Sequence, residues 1–224
     1  MPILIPTLSL TFDHRIKTHQ INRWRGAFNE MAQHSDDLFH NHIGDKTYHY
    51  RYPLIQYRCQ NGQAGLVAIN EGVNAVQRLL SEKEWTIRWN GRPKALNIME
   101  VVPEDHYLTM TDHPYRYRIQ QWLPFNKENY QSWLAASNYI ERIKILEKIL
   151  VGHLLGFAEA MEWRLPQRLE VDIQFVHNME KVLHHKNNLI GFDLTYSCNI
   201  DLPPYIGIGK GVSHGFGWQR QVNE

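Results

Sequence analysis

Between residues 4 and 102 the apolar spacing of this chain changes period in a set order, and that order restricts the fold more than any single motif. Leu8, Leu10 and Phe12 alternate with Thr7, Ser9 and Thr11, the pattern of a half-buried strand. Trp24, Phe28 and Met31 then repeat at helical spacing over 24–32. Thr47 to Arg58 is rich in strand formers (Tyr48, Tyr50, Tyr52, Ile55, Tyr57), and Asn61-Gly62 is a two-residue hairpin turn that returns the chain through Gly65–Ile69. Asn70 is placed to cap a helix carrying Val73, Val76, Leu79 and Leu80. Trp85–Trp89 and Ala95–Val102 read as further strands. Strand, helix, hairpin, helix, strand is the ferredoxin-like βαββαβ order.

The second half repeats that order less completely. His106–Pro114 reads as a linker or domain seam, and Tyr115–Trp122 as a strand with Arg116, Arg118 and Gln120 on one face and Tyr117 and Ile119 on the other. A long helix begins near Asn138, where Asn138 and Glu141 resemble a capping box, and continues through Ile143, Leu146, Leu150, Leu154, Phe157 and Met161. Gly152 and Gly156 on this helix are expected to permit close packing. Leu169–Val176 and Asn188–Ile200 are strands, Leu202-Pro203-Pro204-Tyr205 leads into a glycine-rich segment, and Phe216–Val222 closes as a short strand. The second helix of the pattern is reduced or lost. The fold class is therefore α+β: two tandem ferredoxin-like βαββαβ domains, residues 1–112 and 113–224, the second degenerate with a glycine-rich loop.

Composition narrows the function classes. Hydrophobic residues make up 43% and charged residues 21%, which excludes general disorder. No apolar run approaches the roughly 20 residues of a membrane helix, and Met1–Pro6 lacks the basic start of a signal peptide, so a cytoplasmic protein without a membrane partner is expected. Cys59 and Cys198 lie in strand-like runs and read as buried, reduced thiols. A net charge of +1 means that any phosphate-binding surface must be local.

Three constellations carry candidate chemistry. Gly207, Gly209, Gly211, Gly215 and Gly217 place five glycines in eleven residues, with Lys210, Ser213 and His214 among them. Successive backbone N–H groups beside a lysine can cradle a phosphate. The segment fails the Walker pattern, because Gly211 follows Lys210, and a strand rather than a helix follows it. The competing reading is a tight double turn packed against a helix. His40 and His42, two residues apart and followed by Lys46, His49, Tyr50 and Arg51, can supply a general base and a general acid at one phosphodiester. Asp36, Asp37 and Asp45 nearby leave zinc or manganese binding open, as does a reading of these residues as a hydrogen-bonded turn. Arg51, Arg58, Arg116 and Arg118 among strand aromatics match the residue types of RNA clamps, although strand aromatics also build cores.

With these residues in view, the chain resembles a known family. Trp24-Arg25-Gly26-Ala27-Phe28, Leu38-Phe39-His40-Asn41-His42, Tyr50-Arg51-Tyr52-Pro53-Leu54-Ile55-Gln56-Tyr57 and Ile69-Asn70-Glu71-Gly72 are similar to its N-terminal part. Trp122-Leu123-Pro124-Phe125-Asn126 with Asn129-Tyr130 is similar to its middle, and Leu202 to Gly217 to its end. The family is the CRISPR-associated repeat-processing endoribonucleases of the Cas-six type, b subgroup, in the RAMP superfamily. The glycine motif is shared with non-catalytic RAMP proteins; the His-Asn-His and Tyr-Arg-Tyr-Pro segments are more specific.

The resemblance implies two RRM-related domains and metal-independent cleavage of CRISPR precursor RNA within its repeats, with no cofactor. Attack by a 2′-hydroxyl would leave a 2′,3′-cyclic phosphate and a 5′-hydroxyl. His40, His42 and Tyr50 match the family's candidate catalytic positions; Lys46 matches no fixed motif of the family, and a role for it in steadying charge on the phosphorane rests on its own chemistry. RNA contacts would come from Arg51, Arg116, Arg118, Lys210, Ser213 and the loop glycines. Repeat RNA is the expected partner, with other CRISPR effector subunits and a homodimer as further candidates. Two readings compete: a non-catalytic RNA-binding RAMP subunit, and a metal-dependent phosphodiesterase built on His40, His42 and the nearby aspartates.

Overall fold

The computed structural model describes residues 1–32, 37–39, 52–81, 85–184 and 187–222. They form a mixed α/β fold rich in antiparallel strands, divided into two compact units. One comprises Leu4–His106 with Ser213–Gly215; the other comprises Met1–Ile3, Tyr107–Val212 and Phe216–Glu224. Among the described residues no helix is long and apolar enough to cross a membrane.

The first unit is built from β1 (Ile3–Arg15), α1 (Ile21–Ala32), β2 (Ile55–Gln60), β3 (Gln63–Ile69), α2 (Glu71–Leu80), a hairpin of β4 (Thr86–Trp89) and β5 (Arg92–Ala95), and the first part of β6 (Ile98–Trp122). Its strand order is β2-β3-β1-β6. The β1 alternation turns Leu8, Leu10 and Phe12 inward, where they meet Trp24 and Phe28 of α1, Tyr57 of β2 and Val76 and Leu79 of α2. Trp24 is fully buried, and its indole N–H donates to Gly65 O at 2.9 Å, so the large ring leaves no orphan donor. Truncating Phe28, which is 0% exposed, to alanine would cost roughly 3–5 kcal/mol.

Both tight hairpins use the same chemistry. Asn61 and Gly62 have φ of 51° and 78°, and Asn90 and Gly91 have 53° and 77°, the paired positive angles of a type I′ turn. The first was predicted; the second shows that Ala95 ends a hairpin strand rather than opening the next one. Asn70 stands at the N-cap position of α2, but its side chain caps nothing. It takes φ 52° and ψ −122°, and its N–H donates to Pro6 O, so it serves as a sharp turn between β3 and α2.

The second unit contains the rest of β6, α3 (Lys127–Ala135), α4 (Tyr139–Ala160), a long hairpin of β7 (Val171–His184) and β8 (Asn187–Asp201), and β9 (Trp218–Gln221). Its strand order is β9-β6-β8-β7, all antiparallel. Tyr117, Ile119, Leu194 and Tyr196 point inward against Leu146, Leu150, Leu154 and Phe157 of α4. The buried tyrosines are satisfied: Tyr117 Oη donates to Ile200 O at 3.0 Å and Tyr196 Oη donates to Gln219 Oε1 at 2.6 Å.

Several expectations are corrected here. His106–Pro114 is strand throughout, inside the 25 residues of β6, and so is no linker, although the division between the two units does fall at its start, between His106 and Tyr107. α3 was not foreseen; Asn126 caps it by accepting from Asn129 N at 2.7 Å. α4 begins where expected, with Asn138 accepting from Glu141 N at 2.9 Å, but Gly152 and Gly156 face solvent and a Cβ at either would meet nothing within 4 Å. They do not serve close packing. β7 runs eight residues past Val176, to His184.

Candidate functional site

The glycine-rich segment is a closed double turn in which backbone meets backbone. Gly207 bridges Trp218, Ile208 N donates to Gly217 O at 2.8 Å, and Gln219 N donates to Ile206 O at 3.0 Å. Two glycines are required by the packing. Gly217 has φ 66°, and a Cβ there would lie 2.1 Å from Ile208 O. Gly209 has φ 100°, and its Cβ would fall 2.8 Å from Trp122 Nε1 and 3.0 Å from His153 Nδ1.

Trp122 reaches this position through an irregularity in β6. Strict alternation would place it on the same face as Arg118 and Gln120. The register shifts between Ile119 and Trp122, Gln121 takes φ 46°, and Gln121 N donates to Asp193 Oδ1 at 2.7 Å. The bulge turns the indole into the core beneath the loop, where it is 0% exposed. Trp122 Nε1 donates to His153 Nδ1 at 3.1 Å, so the proton of the neutral imidazole sits on Nε2. Burial, and then the neighbouring Lys210 charge, push the His153 pKa down to about 4. At neutral pH His153 is an uncharged acceptor that anchors Trp122. Sequence reading passed over it; the available signal was a lone histidine among Leu150, Leu154 and Phe157 on the helix's apolar side.

Lys210 leaves the loop and donates from Nζ to Phe125 O at 2.7 Å, and partial burial lowers its pKa. An ammonium has three donors, so this bond leaves two for an anion. Ser213 is buried, and His214 Nδ1 lies 2.5 Å from Asn22 Oδ1 within the first unit. Four of the five loop glycines (209, 211, 215 and 217) have positive φ; Gly207 does not.

Arg116 and Arg118 are half-buried on the face of β6 opposite Tyr117 and Ile119, as the alternation predicts. Arg116 pairs in register with Ser197 of β8, and Arg118 with both Thr195 of β8 and Arg220 of β9. Arg58 behaves otherwise. It is 6% exposed, on the face of β2 opposite Tyr57, where it donates to Gln56 Oε1 at 3.5 Å, so it is no surface clamp.

His40, His42, Lys46, Tyr50 and Arg51 lie outside the described residues. Of the described residues on either side of them, Phe39 belongs to the core and Tyr52 is half-buried. Phe39 is 2% exposed and packs its ring against Phe28 at 6.0 Å. Tyr52 accepts from Gln56 Nε2 at 2.9 Å, and burial raises its hydroxyl pKa well above the usual value. Among the described residues no group of three or more His, Cys, Asp or Glu side chains is placed to hold a metal ion. Cys198 is buried, with its thiol pushed up to about 12, and Cys59 is half-buried; both are free thiols.

Comparison with known proteins gives a consistent result. Residues 1–107 match the Cas6b N-terminal domain and residues 109–222 match the Cas6b C-terminal domain. An uncharacterised protein of Methanocaldococcus jannaschii is 31% identical over 107 residues, which span 47% of this chain and 71% of that protein. A crystal structure of Cas6b is similar with a TM-score of 0.83 at 24% identity, covering 98% of this chain and 100% of that one. A crystal structure of a CRISPR RNA processing endoribonuclease Cas6b is similar with a TM-score of 0.72 at 22% identity, again over 98% and 100%. At these identities the likeness establishes the fold.

Proposed function

The chain belongs to the Cas6b family, and from that premise we propose that it is an endoribonuclease that cleaves CRISPR precursor RNA within its repeats. The observation that carries this reading is the end-to-end match to both family domains, together with the His40-Asn41-His42 and Tyr50 positions in the first of them. We read the two units as tandem ferredoxin-like domains. In support, the four strands of each unit's main sheet, numbered along the chain and leaving aside the β4–β5 hairpin, lie in the order 4-1-3-2. In the second unit only the three-residue turn Val212–His214 stands where the second helix would lie.

The reaction needs no metal. One histidine of His40 and His42 removes the proton of the 2′-hydroxyl beside the scissile phosphate. The 2′-oxygen attacks phosphorus, the bond to the 5′-oxygen breaks, and the other histidine or Tyr50 protonates that oxygen. The products are a 2′,3′-cyclic phosphate and a 5′-hydroxyl. Lys46 stabilises the charge that develops on the phosphorane. The glycine-rich loop with Lys210, and the Arg116/Arg118 face, hold the RNA backbone.

The test is single-turnover cleavage of end-labelled repeat RNA in EDTA, alongside the same RNA with a 2′-deoxy nucleotide at the scissile position. Cleavage of the first and not of the second supports the mechanism. Binding of both without cleavage of either supports the non-catalytic subunit instead, and cleavage that EDTA abolishes supports a metal-dependent phosphodiesterase.

A further inference from the structure

The outer face of the second unit's sheet carries a row of side chains that its own packing does not explain. In register across β9, β6, β8 and β7 stand Arg220, Arg118, Thr195 and Phe175. Phe175 is 56% exposed. A strict alternation would turn it inward with Ile173, but the register shifts between Ile173 and Phe175 and turns the ring out to solvent. The bulge thus sets one aromatic ring on the surface among cationic and polar side chains.

The surroundings of the ring define which ligand it suits. The Arg116 guanidinium lies 5.9 Å from the centre of the Phe175 ring, and the His177 ring is 6.2 Å away. His177 Nε2 is 2.8 Å from Thr195 Oγ1, which fixes the imidazole beside the phenyl. Arg118 and Arg220 are direct cross-strand neighbours, and like charges so placed repel. Both Arg116 and Arg118 have a buried Nε without a hydrogen-bond partner among the described residues. Carboxylates stand in the rows on either side, Asp172 with Ser197 and Arg116 and Asp193 with Asn178, where it accepts from Gln121 N, leaving the Arg118–Arg220 pair without an acid in its own row. Neighbouring strands are about 4.8 Å apart, so Phe175 and Arg118, two strands away, are about 10 Å apart. That span suits a base at one end and its phosphate at the other.

We propose that this face is a stacking subsite for an unpaired nucleotide of single-stranded RNA. The base lies on Phe175 beside Arg116 and His177, and the flanking phosphate lies between Arg118 and Arg220. The proposal rests on the reading of this chain as a repeat-RNA-binding protein and names a subsite within it. An exposed ring takes any base, so the subsite recognises strandedness rather than sequence.

The probe is an oligouridine of about a dozen nucleotides carrying one 2-aminopurine, titrated with the full chain in EDTA at several salt concentrations. Phe175→Ala should weaken binding by roughly 5- to 150-fold with the salt slope unchanged, and should abolish the 2-aminopurine quench. Phe175→Trp should restore both. Arg118→Ala should weaken binding and reduce the salt slope by about one. If Phe175→Ala, melting at the wild-type temperature, binds as tightly as wild type, the subsite is wrong, and wild-type cleavage of repeat RNA leaves the functional reading standing. If wild type neither binds nor cleaves repeat RNA, both fall.

Discussion

The two units share a strand order and differ in what joins their third strand to their fourth. In the first unit, α2 and the β4–β5 hairpin occupy that connection; in the second, residues 202–217 do, without a helix of more than three residues. A helix covers a sheet with side chains, and α2 presents Val73, Val76 and Leu79. The glycine-rich segment buries Ile206, Ile208 and Val212, but at Gly209 and Gly217 its bare backbone meets neighbours directly, among them Trp122 from a bulge in β6 and His153 from α4. Gly209 and Gly217 are therefore intolerant of side chains and answer to packing before ligand. The proposed chemistry lies in the other unit, on His40 and His42. Form in one unit and reaction in the other is a division that can be attacked.

The largest expected effect tests the chemical half. His40→Ala or His42→Ala should each lower the single-turnover cleavage rate by roughly 10²–10⁴-fold, with the melting temperature unchanged. Wild-type rates in the double variant would end the division. Gly217→Ala tests the structural half: a methyl 2.1 Å from a backbone carbonyl, at φ 66°, should destabilise by about 3 kcal/mol or more. Loss of soluble protein or a sharply lowered melting temperature would show it.

His153 gives a pH signature. Its folded pKa of about 4 lies below the ordinary 6.5, so the unfolded chain takes up the proton first as pH falls. Its contribution is complete above about pH 6.5 and declines by up to roughly 3 kcal/mol by pH 4. Urea unfolding midpoints at pH 7 and pH 4.5 should converge in His153→Gln relative to wild type. The smallest effect separates the two kinds of glycine. Gly152→Ala and Gly156→Ala, which meet nothing, should each stabilise α4 by about 1 kcal/mol, raising the melting temperature by a few degrees.

The sequence made legible whatever depends on local period. The inward run Leu8, Leu10, Phe12, the Asn61-Gly62 turn and the Asn138 cap all stand where the pattern put them. Interruptions of period were not legible. The bulges that redirect Trp122 and Phe175 follow from pairing with β8, which no local window contains. Asparagine serves both as a cap and at positive φ, so Asn70 read as the first and is the second. His106–Pro114 read as a linker or seam, yet Pro114 is accommodated at an exposed position within β6. Of the candidate site, the Arg116/Arg118 face was readable because alternation is local; the setting of Lys210 was not, because its acceptor Phe125 is 85 residues away.

Each unit also includes a few residues from the opposite end of the polypeptide. Met1–Ile3 belong with the second unit, where Met1 O accepts from Trp163 Nε1, and Ser213–Gly215 belong with the first, where His214 meets Asn22. The second contact joins residues 192 positions apart. On the ribosome, the first unit can assemble its sheet and helices early, but its last contacts wait until residues 213–215 have been made. A nascent chain stalled after residue 200 should therefore hold a protease-sensitive first unit that becomes resistant once residues 213–215 emerge.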